Sequence, residues 1–381
     1  MELELSPPER SPGTRSRARA FVARHALVLV AFAVSRLCVV SASVYLHWAR
    51  SPKGFFKPEF HRFYGVLGSW DGVWYERIAR HGYLLVPGRF SNPAFFPFYP
   101  TLLRLGHLAG SGYTAAGLVL SNVCFLVAVF AVIELGQGYV GAERAEQAGL
   151  LLAVFPMGFV FSMVYPQSLV LASVVLALLA AHRRHWAWAA LLAAVATLAR
   201  PEGVFVALPL LAAASSGFRR AAGAERGARI VAVAAAPLAL VAVALYFAWT
   251  LHDPLAWSRA EQAWGRSFAA SGPLHAFTRF SAQLAVHPWL SRDLAFLLIY
   301  LATLVLAYRS GVPRAWLGFA LLIILVPLGS GSVESIARLG LLAVPVYWGL
   351  GSLPPRAVKT VAVCSLGLLI GGTVTLPLAF P

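Results

Sequence analysis

Residues 69–83, SWDGVWYERIARHGY, contain the side chain with the clearest chemical use. Asp71 stands between Trp70 and Gly72, with Trp74 and Tyr75 close behind. A carboxylate packed among aromatic rings loses hydration, which makes it a stronger base toward a hydroxyl proton. Aromatic faces also suit sugar rings, whose C–H faces are apolar. The spacing of Trp70, Trp74, Arg77 and Ile78 predicts a short helix lying in a membrane interface. The same pattern also fits a plain aromatic-belt anchor. NPAFFPFYP (92–100) follows, its three prolines and four aromatics forming a stiff apolar ledge. Such a ledge could guide a lipid chain or join two helices.

Two arginines stand in apolar surroundings: Arg36 within one hydrophobic run and Arg338 at the start of another. An intramembrane guanidinium is costly and must find a partner. A phosphate held by bidentate hydrogen bonds is one such partner; a structural ion pair or snorkelling to the surface are others. Four short polar inserts separate further apolar runs: VYPQSL (164–169), ARPEG (199–203), LHDPLAWSRAEQAWGR (251–266) and SVESIAR (332–338). They supply Tyr165, Gln167, Arg200, Glu202, Arg266 and Glu334.

The elements that must position these residues are hydrophobic helices. The chain has 381 residues, 59% hydrophobic and only 12% charged, against about 25% charged in an average soluble domain. A soluble enzyme, a disordered regulator and a disulfide scaffold are thereby excluded. The class is all-α, a polytopic transmembrane bundle. Apolar runs near 25–47, 113–135, 147–163, 167–182, 186–199, 204–217, 230–251, 292–308, 315–328, 338–352 and 357–378 predict about eleven spans. Several are short enough to be broken or re-entrant. The proline-interrupted stretch 94–110 reads as interfacial or re-entrant. Residues 1–24 read as a disordered basic cytoplasmic tail, and 25–381 as the membrane domain, with an outer-face loop over 48–112.

Net charge is +16. No nucleic-acid motif accompanies it, so the positive charge is assigned to cytoplasmic loops facing anionic lipid. Arg144, Arg183, Arg184, Arg219, Arg220, Arg226, Arg229, Arg309, Arg314, Arg356 and Lys359 then lie inside, with a cytoplasmic N-terminus in a plasma membrane. Residues 48–92 run against this pattern, with seven basic residues, but long loops translocate with less regard to charge. The inside loops hold few acids, Glu143, Glu146 and Glu225, and nearly every other one falls outside: Glu59, Asp71, Glu76, Glu202, Asp253, Glu261, Asp293 and Glu334. Ionisable residues collected on one face point to an active site there. Cys38, Cys124 and Cys364 lie in apolar runs, and no CxxC or HExxH occurs, so no metal is expected.

SWDGVWYERIARHGY followed by AFFPFYP resembles the signature of the PIG-V-type mannosyltransferases and their bacterial relatives, within the GT-C superfamily. The resemblance covers most of the chain, strongest over 69–100 and weaker at YPQSL, ARPEG, HDPLAW…WGR and around Arg338. It implies a GT-C-like bundle with its active site on the outer face. It also implies polyprenyl-phosphate mannose as donor, transfer with inversion, and no nucleotide, metal or other cofactor. The catalytic acid of the first outer loop corresponds to Asp71. The chain departs from the pattern at Tyr165-Pro166-Gln167-Ser168, where the family has Tyr-Ser/Thr-Glu-Ser. Glutamine keeps the hydrogen bonding and loses the charge.

Together these readings make Asp71 a general base. Arg338, Arg200, Arg36 and Arg266 would neutralise the leaving phosphate. Trp70, Trp74 and Tyr75 would shape the sugar site, with Tyr165, Gln167, Glu202 and Glu334 toward sugar or acceptor. The acceptor is open among lipid, glycan and protein. A lipid or glycan transporter or flippase is the alternative, although the halves show no internal repeat. A non-catalytic relative is another, and Gln167 is its best support.

Overall fold

In a bilayer, backbone N–H and C=O groups have no water to bond, so long apolar runs become helices. The computed structural model describes residues 14–49, 63–266 and 269–376. Among these residues no strand occurs, and five helices are long and apolar enough to cross a membrane. They are Ala26–Ala49, Tyr113–Val140, Gly223–Leu251, Leu290–Arg309 and Pro355–Thr375. Shorter apolar helices cover Gln167–His182, Trp186–Ala199 and Arg314–Leu328. The run at 204–217 is a 3-10 turn, Pro201–Val206, leading into helix Ala207–Ser215.

Two expected spans are broken. The run at 147–163 is helix Ala142–Ala153 followed by a separate 3-10 turn, Gly158–Ser162. Pro156 lies between them and excludes continuation of the helix. The run at 338–352 divides into Ile336–Leu339, Gly340–Leu342 and Val344–Leu350, with Pro345 opening the last. Both interruptions are buried within the protein, the condition under which irregular backbone is tolerated at membrane depth. One difference falls at the N-terminus: Thr14–Arg24 is helical, inside the segment read as a disordered tail. Most of the basic part of the first outer loop, residues 50–62 with Glu59, lies outside the described residues.

Helix Gln167–His182 is buried on nearly every side and packs between Tyr113–Val140 and Trp186–Ala199. Gly223–Leu251 runs along the outside of Trp186–Ala199. It leaves Ile230, Val231, Leu238, Val241 and Leu245 exposed, the surface a spanning helix offers to lipid tails. On the other flank, Val344–Leu350 is wholly buried, and Trp348 donates its indole N–H to the Val132 carbonyl at 3.1 Å.

A close approach of backbones seats that short helix. A Cβ on Gly349 would lie 2.1 Å from the Thr303 carbonyl oxygen, so only glycine lets helix Leu290–Arg309 come this near. Gly349→Ala should therefore destabilise the protein by about 1–3 kcal/mol, the usual cost of overpacking. Thermal unfolding in detergent should register this loss, while Gly367→Ala, with nothing within 4 Å of its added carbon, should unfold like the parent.

Candidate active site

Asp71 is the first residue of the helix Asp71–His81, a position where a carboxylate faces the positive end of the helix dipole. The chain reaches it through Trp70, at φ 57° and ψ −119°, a conformation that costs a Cβ-bearing residue about 1–3 kcal/mol. Trp70 is anchored there by its indole N–H, which donates to the Leu376 carbonyl at 2.8 Å. The Val164 N–H donates to the Leu67 carbonyl, tying the preceding 3-10 turn to the 164–169 insert. The Asp71 N–H donates to the Tyr165 hydroxyl at 3.1 Å.

Arg338 meets this carboxylate from the opposite end of the chain. Its Nη1 donates to Asp71 Oδ2, its Nη2 to Ser335 Oγ at 3.3 Å, and its guanidinium lies over the Tyr165 ring. Arg338 is 1% exposed. Helix Leu290–Arg309 fastens the short element that carries it. Asp293 Oδ1 accepts the Ala337 N–H at 2.9 Å, and the Tyr300 hydroxyl donates to the Ala337 carbonyl at 2.6 Å. Asp293, grouped by sequence with the outer acids, is thus a support for Arg338.

The pair opens onto a cavity of about 450 Å³, a volume suited to a small-molecule site. Of the residues singled out by sequence, Asp71, Tyr75, Arg200, Glu202, Arg266, Glu334 and Arg338 line it. Arg200 donates through Nε and Nη2 to the two oxygens of Glu202, both at 3.0 Å. Arg266 pairs with Glu261 at 3.4 Å and donates to Ser335 Oγ at 3.3 Å. Of the four arginines expected to meet a phosphate, the three that line the cavity, Arg200, Arg266 and Arg338, therefore each already face a carboxylate of the chain. Burial pushes the Tyr75 hydroxyl above the ordinary phenol range, which keeps it protonated. Burial likewise raises the Glu261 carboxyl, with Arg266 pulling the other way.

The remaining walls are aromatic and apolar. Phe95 and Phe96 of the proline ledge line the cavity with Trp257 and Trp264 of the 251–266 insert. Val204, Phe205, Leu240 and Val326 line it from the membrane helices and their ends. The ledge is held in place by Asn92, whose side chain accepts the Leu84 N–H and donates to the Gly82 carbonyl, and by the Tyr83 hydroxyl on the Phe95 carbonyl. Trp257 and Trp264 were legible only as aromatics within an insert; nothing in their spacing assigned them to a wall.

Several expected site residues lie elsewhere. Arg36 does not line the cavity. It donates to the Gly158 carbonyl at 3.0 Å and Ser162 Oγ at 2.7 Å, and lies over the Phe125 ring. The 3-10 turn at Gly158–Ser162 frees a carbonyl, and this takes the place of a phosphate as partner. Trp74 does not line the cavity but packs behind its wall, stacked on Phe95 and edge-to-face with Trp264. Trp70 also sits outside the lining, at the Leu376 carbonyl. Tyr165 supports Asp71 and Arg338 from behind. Gln167 is fully buried, and neither of its amide atoms has a hydrogen-bond partner among the described residues.

No protein-family model matches the chain, and no curated protein does. Among solved structures it is similar to the oligosaccharyltransferase of Archaeoglobus fulgidus. The form with zinc and sulfate is 14% identical, covering 90% of this chain and 53% of that one, with a TM-score of 0.48. The apo form gives 14% identity, 92% and 55% coverage, and a TM-score of 0.48. The archaeal oligosaccharyltransferase AglB from the same organism, in complex with an inhibitory peptide and a dolichol-phosphate, gives 14%, 92%, 55% and 0.47. The chain spans about half the length of these proteins.

A buried charge left without its partner costs about 3–5 kcal/mol, more than the pair itself contributes. Arg338→Leu should accordingly destabilise the protein by that amount, and the double variant Asp71→Asn with Arg338→Leu should recover a large part of it. Unfolding of the two variants and of Asp71→Asn alone, in one detergent, measures the coupling. Strictly additive losses would mean that the contact contributes nothing.

Proposed function

We propose that the chain is an integral membrane glycosyltransferase that moves mannose from polyprenyl-phosphate mannose to an acceptor hydroxyl, with inversion, at the outer face of a plasma membrane. One observation carries the reading: Asp71 borders a cavity that has aromatic, cationic and apolar walls at once. Each wall suits one part of a lipid-phosphate sugar. Phe95, Trp257 and Trp264 offer faces to the sugar ring. Arg200, Arg266 and Arg338 offer donors to the phosphate. Val204, Phe205, Leu240 and Val326 offer a surface to the first isoprene units.

In this mechanism Asp71 takes the proton of the acceptor hydroxyl as its oxygen attacks the anomeric carbon. The bond from that carbon to the phosphate oxygen breaks on the opposite face, and its electron pair leaves with the phosphate. The transition state is oxocarbenium-like, as in other glycosyl chemistry. The developing charge on the phosphate is met by cations already oriented. Arg200 uses Nε and Nη2 on Glu202, so its Nη1 is available to a phosphate. Arg338 divides its donors between Asp71 and the incoming phosphate, which frees the carboxylate for the proton as donor binds. Tyr75 and Glu334 remain for hydroxyls of sugar or acceptor.

The test is transfer from radiolabelled polyprenyl-phosphate mannose to a membrane lipid extract by the purified protein in lipid. Asp71→Asn should lower turnover by about 10²–10⁴-fold, the range of a general base. Trp264→Ala should act mainly on the donor concentration needed. Near-normal turnover by Asp71→Asn would remove Asp71 as base, and transfer of a different sugar from the same carrier would correct the donor.

A further inference from the structure

A second cavity, of about 860 Å³, shares one helix, Gly223–Leu251, with the walls of the first. It runs between Ala207–Ser215 and Gly223–Leu251. Along this helix the groove runs from Arg229 to Pro237, and Leu240, about 4.5 Å further along the axis, lines the candidate active site. The Arg229 end of the groove is thus the one farther from the candidate active site, about 16 Å from Leu240 along that axis.

The groove is built in two parts. Its length is apolar, made by Leu211, Ile230, Val233 and Pro237. Leu211 and Ile230 are more than half exposed, on the side where the bundle meets lipid tails. Its mouth is cationic, with Arg219 and Arg220 on the turn Phe218–Arg220. Both are exposed, and neither has an ion pair among the described residues. The nearby acid is already occupied: Glu225 holds Arg229 at 2.8 Å and faces Arg184 at 4.0 Å. Arg229 itself is structural. It donates to the carbonyls of Ala214 and Ser216 at 2.9 and 2.7 Å, and its guanidinium lies over Trp186. That clamp fixes the turn on which Arg219 and Arg220 stand.

From this geometry we infer that the groove binds an anionic phospholipid of the surrounding bilayer. The phosphate and negative headgroup lie between Arg219 and Arg220, and one acyl chain lies over Leu211, Ile230, Val233 and Pro237. A basic mouth on a membrane-embedded pocket is the arrangement that favours anionic headgroups. The apolar length selects a lipid over a free anion, which would touch only the mouth. The inference is independent of the proposed transferase activity, because it shares no residue with the first cavity.

Native mass spectrometry of the full chain in detergent tests it, with phosphatidylglycerol and phosphatidylcholine of identical acyl chains as probes. The parent protein should retain phosphatidylglycerol about tenfold better than phosphatidylcholine. Arg219→Gln with Arg220→Gln should abolish that preference, and Arg219→Lys with Arg220→Lys should keep most of it. Leu211→Trp with Val233→Trp, which fills the groove, should lower retention of both lipids. The arginine variants should elute from a sizing column as the parent does, since Arg219 and Arg220 are exposed and have no ion pair among the described residues. Unchanged preference in the glutamine variant, or displacement of phosphatidylglycerol by millimolar inorganic phosphate, would overturn the inference.

Discussion

The contact between Arg338 and Asp71 is the constraint on which the rest of the arrangement depends. Neither charge could be buried alone without a penalty of several kcal/mol. Their meeting requires that the helix Asp71–His81 and the element Ile336–Leu339 come together, although the two residues are 267 positions apart in the chain. The supports reflect this. Tyr165 holds the Asp71 backbone, and Asp293 and Tyr300 hold the backbone at Ala337. Both partners also follow a non-glycine residue in the left-handed region, Trp70 directly before Asp71 and Ser335 three residues before Arg338. Two uncommon backbone conformations persist where neighbouring contacts outweigh their cost.

The same logic recurs around the cavity. Arg200 with Glu202 and Arg266 with Glu261 repeat the pairing of cation and carboxylate. These pairs keep the guanidinium groups oriented in the absence of any ligand and keep the cavity close to neutral. A phosphate entering such a site does not meet bare cations; it competes with carboxylates for donors. That competition favours a doubly charged or bidentate oxyanion over weaker anions.

Much of this was legible in the residues. The apolar runs marked the helices because hydrophobic length is what a bilayer demands, and three of the four polar inserts, all but 164–169, marked ends that return to the cavity. Asp71, Arg200, Glu202, Arg266, Glu334 and Arg338 were identifiable because ionisable groups are rare in such a chain. What could not be read was orientation. Arg36 and Arg338 look alike in sequence, yet one finds a backbone carbonyl freed by a 3-10 turn, and the other a carboxylate from a remote loop. Trp70 and Trp74 were nearer to Asp71 in sequence than Trp264, but Trp70 is drawn to the Leu376 carbonyl and Trp74 packs behind Phe95, which leaves the wall to Trp264. Gln167 was expected to reach the site, and instead lies sealed beneath it. The proline at 156 was visible, but its effect depended on whether surrounding protein could shelter the broken helix.

The distance between Asp71 and Arg338 along the chain also bears on how the protein is made. At about 5–20 residues per second, a ribosome finishes Arg338 on the order of tens of seconds after Asp71. Throughout that interval the carboxylate has no partner. A long apolar helix would have to carry such an unpaired charge through the insertion machinery at a cost of several kcal/mol. Asp71 opens a short helix of mixed polarity and lies in none of the five long apolar helices, so its charge need not be carried unpaired within such a segment while the later helices are made.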